Sequence, residues 1–580
     1  MLNEFRTLIP HLRRFRRRYA LGISFIFIAN IGQIAIPQLL RIAVDEVSQR
    51  EFSSASLVAP LAGLLALALL VAAARVVWRT AIFGASRRIE NRIREAIYAR
   101  LLTLSARYFS DVKTGDLMTR ATRDVANVRN ATGTAVVGGI DGIFMIAAIG
   151  AIMFGQNPRV AALAILPAPM VTLIVLGAGR VLGARFGRVQ TALSALTAHV
   201  HEALSGIKVL KSFAREGYSE VEFSRRNDEY RTRSIELIRF WGLFFPIISF
   251  LAGLATLLLL RIGGASVIDG SMSPGLFVAF LVYLEMLIWP MFGAGYMVNL
   301  LQRGSASLGR INAILAQVPD IASPHRGANR IASPVVQMES VEFTYADRDS
   351  PAVESVDLHV APGSTIGIFG RIGSGKSTIA RLMPRLTDPT AGVVKLGGRD
   401  VREYELGVLR KYVRLVPHNV TLFSDTIRGS IAFGNPSASK GEIQRAAEIS
   451  TIDRDLIRFP DGFETQIGER GVTLSGGQRQ RISISRAILS DPELLILDDA
   501  LSQLDSESEE LILGRFFRLR RGKTNVIVSN RISTIARADV IYVVDEGRVV
   551  AVGNHADLIR GGGIYRQMAD IQRLERSDMA

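Results

Sequence analysis

At 580 residues the chain exceeds one ordinary domain, and about three or four domain-sized units are expected. Hydrophobic residues make up 48% and mean hydropathy is +0.25, high for a soluble protein of this size; cysteine is absent, which excludes disulfides and thiolate metal sites and leaves the compartment open. The formal net charge of +16 admits nucleic acid or an anionic membrane face as partner, so the distribution of charge has to decide.

In chain order, residues 3–18 place Phe5, Leu8, Ile9, Leu12 and Phe15 on one helical face with Arg6, Arg13, Arg14 and Arg17 around it. The pattern predicts an interfacial elbow helix over 1–18, lying on the inner leaflet, with a solvated basic helix as the alternative. Long apolar runs follow at about 19–43, 56–78, 134–154, 158–183, 241–262 and 274–301. Each holds about 20 residues or more, enough at about 1.5 Å per residue to cross a hydrocarbon core of about 30 Å. Six such runs favour spans over the buried helices of a large soluble protein. The first is too long for a signal-peptide core and lacks a small-x-small cleavage site, so it is read as a retained span.

Arginine sets the orientation. "RRFRRR" at 13–18 and the segments 79–133 and 184–240 are rich in Arg and Lys, whereas the alternate connections carry only Arg50 as a clear basic residue. The positive-inside rule then makes the protein multi-pass in the cytoplasmic (inner) membrane, with cytoplasmic N- and C-termini. The basic balance is mainly topological, and no nucleic acid is expected as partner.

The two basic segments are too long for simple loops and read as helices continuing beyond the bilayer. Each has an interruption, "FSDVKTGDLMTR" at 109–120 and "KSFAREGYSEVEF" at 211–223, expected to turn a descending helix into an ascending one near a cytoplasmic domain. The expected membrane domain covers 19–316. Residues 317–334, rich in Pro, Ser and Gly, read as a linker. From 335 to 580, short β-type runs alternate with amphipathic helices, an α/β nucleotide-binding pattern.

Within that half, "GRIGSGKS" comprises Gly370, Arg371, Ile372, Gly373, Ser374, Gly375, Lys376 and Ser377 and follows the apolar strand "STIGIF". It fits a P-loop: glycines let backbone N–H groups curl around phosphates, and the next helix adds its positive end. Lys376 would reach the β- and γ-phosphates of ATP, and Ser377 would hold Mg²⁺. "LLILD" delivers Asp498 to the tip of a buried strand, where a carboxylate serves the Mg²⁺ shell.

"LSGGQ", Leu474 to Gln478, lies 24 residues before Asp498. Together these motifs resemble an ATP-binding cassette (ABC) transporter of the exporter type, a membrane α-helical domain with six spans fused to an α/β P-loop nucleotide-binding domain. "TGDLMTRATRDV" (114–125) and "LSGIKVLKSFAREG" (204–217) look like that family's intracellular loops. The resemblance implies a dimer of such halves with two ATP molecules at the interface. Tyr345 would stack on adenine and Thr378 extend the phosphate loop. Ser475, Gly476, Gly477 and Gln478 would complete the partner's site, and Asp505 would lie where subunits touch. A second half-transporter is therefore the implied partner, besides the lipid bilayer and a hydrophobic, amphipathic or peptide substrate.

Three positions depart from the family pattern. His418 stands for the glutamine that senses Mg²⁺, Asp499 for the glutamate that polarises water, and Asn530 for the switch histidine. Asp499 withdraws its carboxylate by about 1.5 Å, and a misplacement of about 1 Å can cost on the order of 100-fold. Losing a transition-state donor costs about 100- to 1,000-fold. All three belong to the site on this chain's own loop, while "LSGGQ" is intact. The pattern resembles the degenerate-site subunit of a heterodimeric multidrug-type exporter. A homodimeric exporter, an importer of this architecture (for a siderophore, for example) and an ATP-gated regulatory membrane protein are the alternatives. Glu285 and Asp141 are acids within the spans, read either as substrate contacts for cations or as structural hydrogen-bond partners. Trp289 and Pro290 are expected to shape the last span.

Overall fold

The computed structural model describes residues 4–48, 57–324, 326–468 and 474–578. The chain divides into two compact units, one of Met1–Leu102 with Lys113–Gln317 and one of Val318–Ala580 with Thr103–Val112.

The first unit is helical. A short 3-10 turn, Glu4–Leu8, leads to α1 (Ile9–Arg14) and α2 (Arg16–Val47). The N-terminal segment is thus not one continuous helix over 3–18. Pro10 in the first turn of α1 has no N–H to give to a preceding turn, and α2 begins within the arginine cluster. Then come α3 (Val58–Thr103), the short α4 (Ala106–Asp111), which belongs to the second unit, and α5 (Thr114–Thr119). A π-helical turn, Arg120–Asp124, links α5 to α6 (Val125–Thr132), followed by α7 (Thr134–Gln156) and α8 (Pro158–Ile165). The unit closes with α9 (Pro167–Ser205), α10 (Ile207–Ser212), α11 (Glu216–Ile268) and α12 (Pro274–Ala316).

All six apolar runs lie in helix, but by length and composition four stretches among the described residues are apolar enough to cross a membrane. These are Arg16–Val47, Val58–Thr103, Thr114–Gln156 and Glu216–Ile268. The fourth run is divided where α8 ends and α9 begins at Pro167, and the apolar part of α12 is shorter, Pro274–Ile288. The 46 residues of α3 and 53 of α11 make helices of about 70 and 80 Å, far longer than a hydrocarbon core of about 30 Å. The two interruptions are tighter than the sequence suggests. α4 and α5 occupy most of 106–119, and helix resumes at Glu216, well inside the 211–223 stretch.

Polar groups tie α12 to its neighbours. The Tyr283 hydroxyl donates to the Ile34 carbonyl at 2.9 Å and accepts from Gln38 Nε2 at 2.9 Å. At the start of α12, Asp45 from the end of α2 accepts from Gly275 N (2.7 Å) and Ser273 Oγ (2.9 Å). Gly275 is required there, because a Cβ would lie 2.1 Å from the Arg41 carbonyl oxygen. Near the other end, Asn312 Nδ2 donates to Glu4 at 2.9 Å. Asp124, in the π turn and 3% exposed, accepts from Ser307 Oγ (2.9 Å) and Arg310 Nε (2.8 Å). Removing one partner strands the buried carboxylate, so Arg310→Met is expected to destabilise the unit by about 2 kcal/mol. Adding Asp124→Leu should recover most of that loss; thermal unfolding of the two variants in detergent measures both.

The second unit contains an antiparallel four-stranded sheet, order β2-β1-β4-β5, and a six-stranded sheet, order β10-β9-β3-β8-β7-β6. The strands are β1 (Val336–Phe343), β2 (Val353–Val360), β3 (Thr365–Phe369), β4 (Ala391–Leu396), β5 (Arg399–Asp400), β6 (Val413–Val416), β7 (Leu494–Asp498), β8 (Thr524–Ser529), β9 (Val540–Asp545) and β10 (Arg548–Gly553). β9, β3, β8, β7 and β6 are parallel, and β3, β7 and β8 are buried at every position. This is the near-continuous apolar signature of strands covered on both faces. Helices α13 (Lys376–Leu382), α14 (Gly476–Leu489), α15 (Ser506–Leu519) and α16 (Gly563–Asp578) complete the parts that bear on the site.

The 317–334 segment has little regular structure but is not loose. Ala328 exchanges backbone bonds with Glu403 and Glu405, and Ile321 and Ile331 are buried. Ile331 joins the core around β1 and β2 and anchors the segment there.

Candidate active site

Four parallel strands end at one edge, and each delivers candidate residues there. β3 runs into the Gly370–Ser377 loop, β7 into Asp498 and Asp499, β8 into Asn530 and β6 into His418. The register places Phe369 opposite Ser529, Asp498 opposite Val528 and Leu497 opposite Val416, so the four tips lie nearly level. In open parallel sheets the crevice outside the carboxyl ends of the strands is where ligands bind.

The loop is built for close approach. Gly373 and Gly375 have φ of +86° and +95°, in the left-handed region, and a Cβ on Gly375 would stand 2.2 Å from the Ala352 carbonyl oxygen. A cavity of about 400 Å³ opens beside it, lined by Tyr345, Asp347, Arg348, Ala352, the Gly373–Thr378 stretch and Arg381. Tyr345 and Thr378 share a hydroxyl–hydroxyl bond of 2.9 Å, which holds the tyrosine at the cavity wall. Lys376 Nζ donates to the carbonyls of Gly370 (2.8 Å) and Arg371 (2.6 Å). Burial lowers its pKa, opposed by the Asp499 and Asp498 carboxylates. Ser374 is buried and its carbonyl accepts from Gly547 N, whereas Ile372 at the loop's tip is 89% exposed. Ser377 Oγ donates to Asp498 Oδ1 at 2.8 Å, so a hydroxyl and a 1%-exposed carboxylate meet at the first turn of α13.

Asp499 adopts φ +50°, a left-handed conformation that Asp tolerates better than most side chains. Its N–H donates to the Val528 carbonyl at 2.9 Å, and its Oδ2 lies 3.4 Å from His418 Nδ1. Ser502 Oγ donates to the Asp499 carbonyl at 2.9 Å and is 3.3 Å from His418 Nδ1. Burial raises the Asp499 pKa, opposed by His418, with Asp498 adding to the rise. A carboxyl whose pKa is raised on folding costs stability above its folded pKa and nothing below its unfolded pKa. Asp499→Asn is therefore expected to raise the thermal midpoint at neutral pH, with the gain vanishing as pH falls below about 4. A pair of melting curves checks this.

The signature residues stand apart from the phosphate loop. Ser475 caps α14 in a reciprocal pair with Gln478, Oγ accepting from Gln478 N at 3.3 Å and Gln478 Oε1 accepting from Ser475 N at 3.0 Å. Gly476 faces Gln503, where a Cβ would sit 2.0 Å from Oε1, and a Cβ on Gly477 would sit 3.1 Å from the Gln503 carbonyl oxygen. Gly476 lines a small cavity of about 100 Å³ with His418, Asn419 and Gln503, and none of the four signature residues lines the Tyr345–Arg381 cavity among the described residues. Asp505 caps α15 by accepting from Ser508 N at 2.8 Å.

Two contributors were missed by sequence reasoning. The Gln572 side chain donates to the Asn530 carbonyl at 2.8 Å and accepts from Ile532 N at 3.0 Å, clamping the switch segment from α16. Arg531 donates to the carbonyls of Ser502 (3.0 Å) and Leu504 (3.4 Å) and pairs with the buried Glu509 at 2.9 Å. A glutamine seven residues after Tyr565, on the face that also carries Met568 and Ala569, was the available signal for the first.

In the membrane unit, Glu285 lines a cavity between helices and Asp141 lies half-buried on α7 outside that lining. Pro290 falls inside α12, with its backbone close to Gly142 of α7.

Comparison with known proteins agrees with this construction. Residues 19–291 match the ABC transporter transmembrane region and residues 353–502 match the ABC transporter family. The chain is 34% identical to the multidrug resistance-like ATP-binding protein MdlA of Escherichia coli K12, covering 98% of this chain and 97% of that one. It is 32% identical to the ATP-dependent lipid A-core flippase of Syntrophus aciditrophicus over 84% of this chain and 80% of that one. A solved bacterial Atm1-family ABC exporter with ATP bound superposes with a TM-score of 0.78 at 26% identity, covering 96% of this chain and 98% of that chain. Helical membrane unit, P-loop sheet edge and signature helix together make the chain a member of the ABC exporters, multi-pass membrane proteins whose fused ATP-binding domain is that of an ATPase.

Proposed function

We propose that the chain is one half of a heterodimeric exporter that uses Mg-ATP to move hydrophobic or amphipathic cargo across the cytoplasmic membrane, through six spans with both termini cytoplasmic. The elbow over 1–18, membrane domain 19–316, linker 317–334 and ATP-binding domain 335–580 are its parts. The names of the relatives, multidrug resistance-like and lipid A-core flippase, support cargo with a large apolar portion.

The residues fit the nucleotide and its metal: a glycine cradle that a Cβ would fill, a half-buried lysine, and a serine bonded to a buried aspartate. Lys376 would exchange its loop carbonyls for phosphate oxygens, Tyr345 would face the base, and Ser377 with Asp498 would hold Mg²⁺. Bound Mg²⁺ neutralises charge on the transferring phosphoryl group. His418, Asp499 and Asn530 then decide the rate. Asp499 has a short reach, and its carboxylate already faces His418. Asn530 keeps a hydrogen-bonding amide without the ability to become cationic. The site therefore holds ATP more than it consumes it, while Ser475, Gly476, Gly477 and Gln478 complete the partner's site with Asp505 at the shared border.

The observation that carries this reading is that all three departures lie at the strand edge bearing the phosphate loop, while the signature, outside the Tyr345–Arg381 cavity, is intact. Vanadate trapping of labelled nucleotide in the assembled transporter tests it: trapping is expected at the partner's loop and not at Lys376, and equal trapping at both overturns the asymmetry. A second reading, a homodimer with two slow sites, is favoured by the complete set of nucleotide-holding groups here; brisk ATPase activity of the chain purified alone would support it.

A further inference from the structure

The C-terminal helix α16 meets the ATP-binding unit at two points that bear on the nucleotide. Near its start, Tyr565 is 1% exposed, its hydroxyl lies 2.7 Å from His555 Nδ1, and its ring packs edge-on against Phe369 with centroids 5.1 Å apart. Phe369 is the last residue of β3 and runs directly into the Gly370–Ser377 loop. Seven residues on, two turns and about 10.5 Å along the same face, Gln572 reaches the switch segment. There Nε2 donates to the Asn530 carbonyl at 2.8 Å and Oε1 accepts from Ile532 N at 3.0 Å. One partner is an acceptor and the other a donor, so an amide in this orientation satisfies both. Phe369 and Ser529 pair across β3 and β8, so one helix fastens the roots of both the phosphate loop and the switch.

Arg531, between the two clamped groups, donates to the Ser502 and Leu504 carbonyls and pairs with Glu509. The Asn530 side-chain amide, by contrast, is half-buried at the strand edge and has no hydrogen-bond partner among the described residues. We propose that Gln572 is a positioning residue for recognition of the γ-phosphate: it fixes the peptide that aims the Asn530 amide, so that the site tells ATP from ADP. Without the clamp, the segment has to be ordered when ATP binds. That cost falls on ATP alone, because ADP has no γ-phosphate to meet the switch. The assignment rests on the reading of Asn530 as the switch residue, and it extends the nucleotide site to a helix residue 42 positions downstream.

The test uses the full chain in lipid nanodiscs with Mg²⁺, where bound trinitrophenyl-ATP is displaced by ATP or by ADP. The wild type is expected to prefer ATP. Gln572→Ala should lower the ATP-over-ADP affinity ratio about fivefold and leave ADP affinity unchanged. Gln572→Glu keeps an acceptor for Ile532 N but turns an oxygen towards the Asn530 carbonyl, so it should lower the ratio at least as far. Because it still holds Ile532, it also guards against a variant that merely loosens the fold. In an Asn530→Ala background, where the preference is already reduced, Gln572→Ala should lower the ratio no further. An ATP preference that neither Gln572 variant alters, equal losses of ATP and ADP affinity in both, or a further fall in the Asn530→Ala background each overturns the assignment alone. A ratio that Asn530→Ala leaves unchanged sinks the switch reading, and the assignment with it.

Discussion

Asp499→Glu combined with Asn530→His is expected to raise ATP hydrolysis at the chain's own site by about 100-fold or more. The glutamate moves the carboxylate outward by about one C–C bond of 1.5 Å, and the histidine restores a donor able to carry charge. The two changes act on one reaction and will not add simply, so each single variant should fall well short of the pair. Part of the gain is offset by the backbone. At φ +50° the position suits Asp, and a longer side chain is less at ease there. His418 is the third element: it now lies 3.4 Å from Asp499, and His418→Gln in the double-variant background should raise the rate further by freeing the carboxylate. Single-turnover hydrolysis of the assembled transporter, with the partner's own catalytic acid neutralised, isolates this site. A double variant no faster than the parent would mean that the three departures are not what limits it.

The second large effect is an asymmetry within one chain. In the assembled transporter, Gly477→Ala should cut steady-state turnover by about 100-fold, whereas Lys376→Ala in the same chain should cut it less than about tenfold. The physical basis of the first is crowding: a Cβ on Gly477 would lie 3.1 Å from the Gln503 carbonyl oxygen, and Gln503 N is fixed by Gln480 Oε1 at 3.0 Å. The methyl must therefore push either the signature turn or the segment leading to Asp505, both of which face the partner's site in the proposed assembly. In the proposed assembly Lys376 serves only the loop on this chain, where hydrolysis would already be slow. Equal losses from the two substitutions would point to two equivalent sites and to the homodimer.

How much of this was legible in the sequence depended on the range over which each feature is encoded. The phosphate loop, Asp498 and the strands beneath them are local patterns, a glycine-rich turn after a short apolar run, and β3 and β7 fall at "TIGIF" and "LLILD". The convergence of His418, Asp499 and Asn530 was readable only through family resemblance, because it is set by the parallel pairing of strands far apart in sequence. The Gln572 clamp is a pairing across 42 residues whose only trace is a polar residue on an apolar helix face. The 317–334 segment shows the opposite limit. Its composition reads as a linker, and most of it is exposed, but two isolated isoleucines are buried. In the membrane unit the runs were legible as helix, while their division was set by Pro167, whose ring stops an incoming helical ladder whatever the surrounding hydropathy.

The ties between α2 and α12 have a consequence for where cargo can move. Asp45 with Ser273 and Gly275, and Tyr283 with Ile34 and Gln38, stitch this pair at two depths, and Glu4 in the turn before α1 adds a tie to α12 at Asn312. Parting the two helices would strip these donors and acceptors of their partners, at about 1–3 kcal/mol for each buried group left unsatisfied. That seam is a weld rather than a door. In the proposed exporter, cargo leaving the lipid for the transport path would enter between other helices, with α2 and α12 moving as one rigid blade.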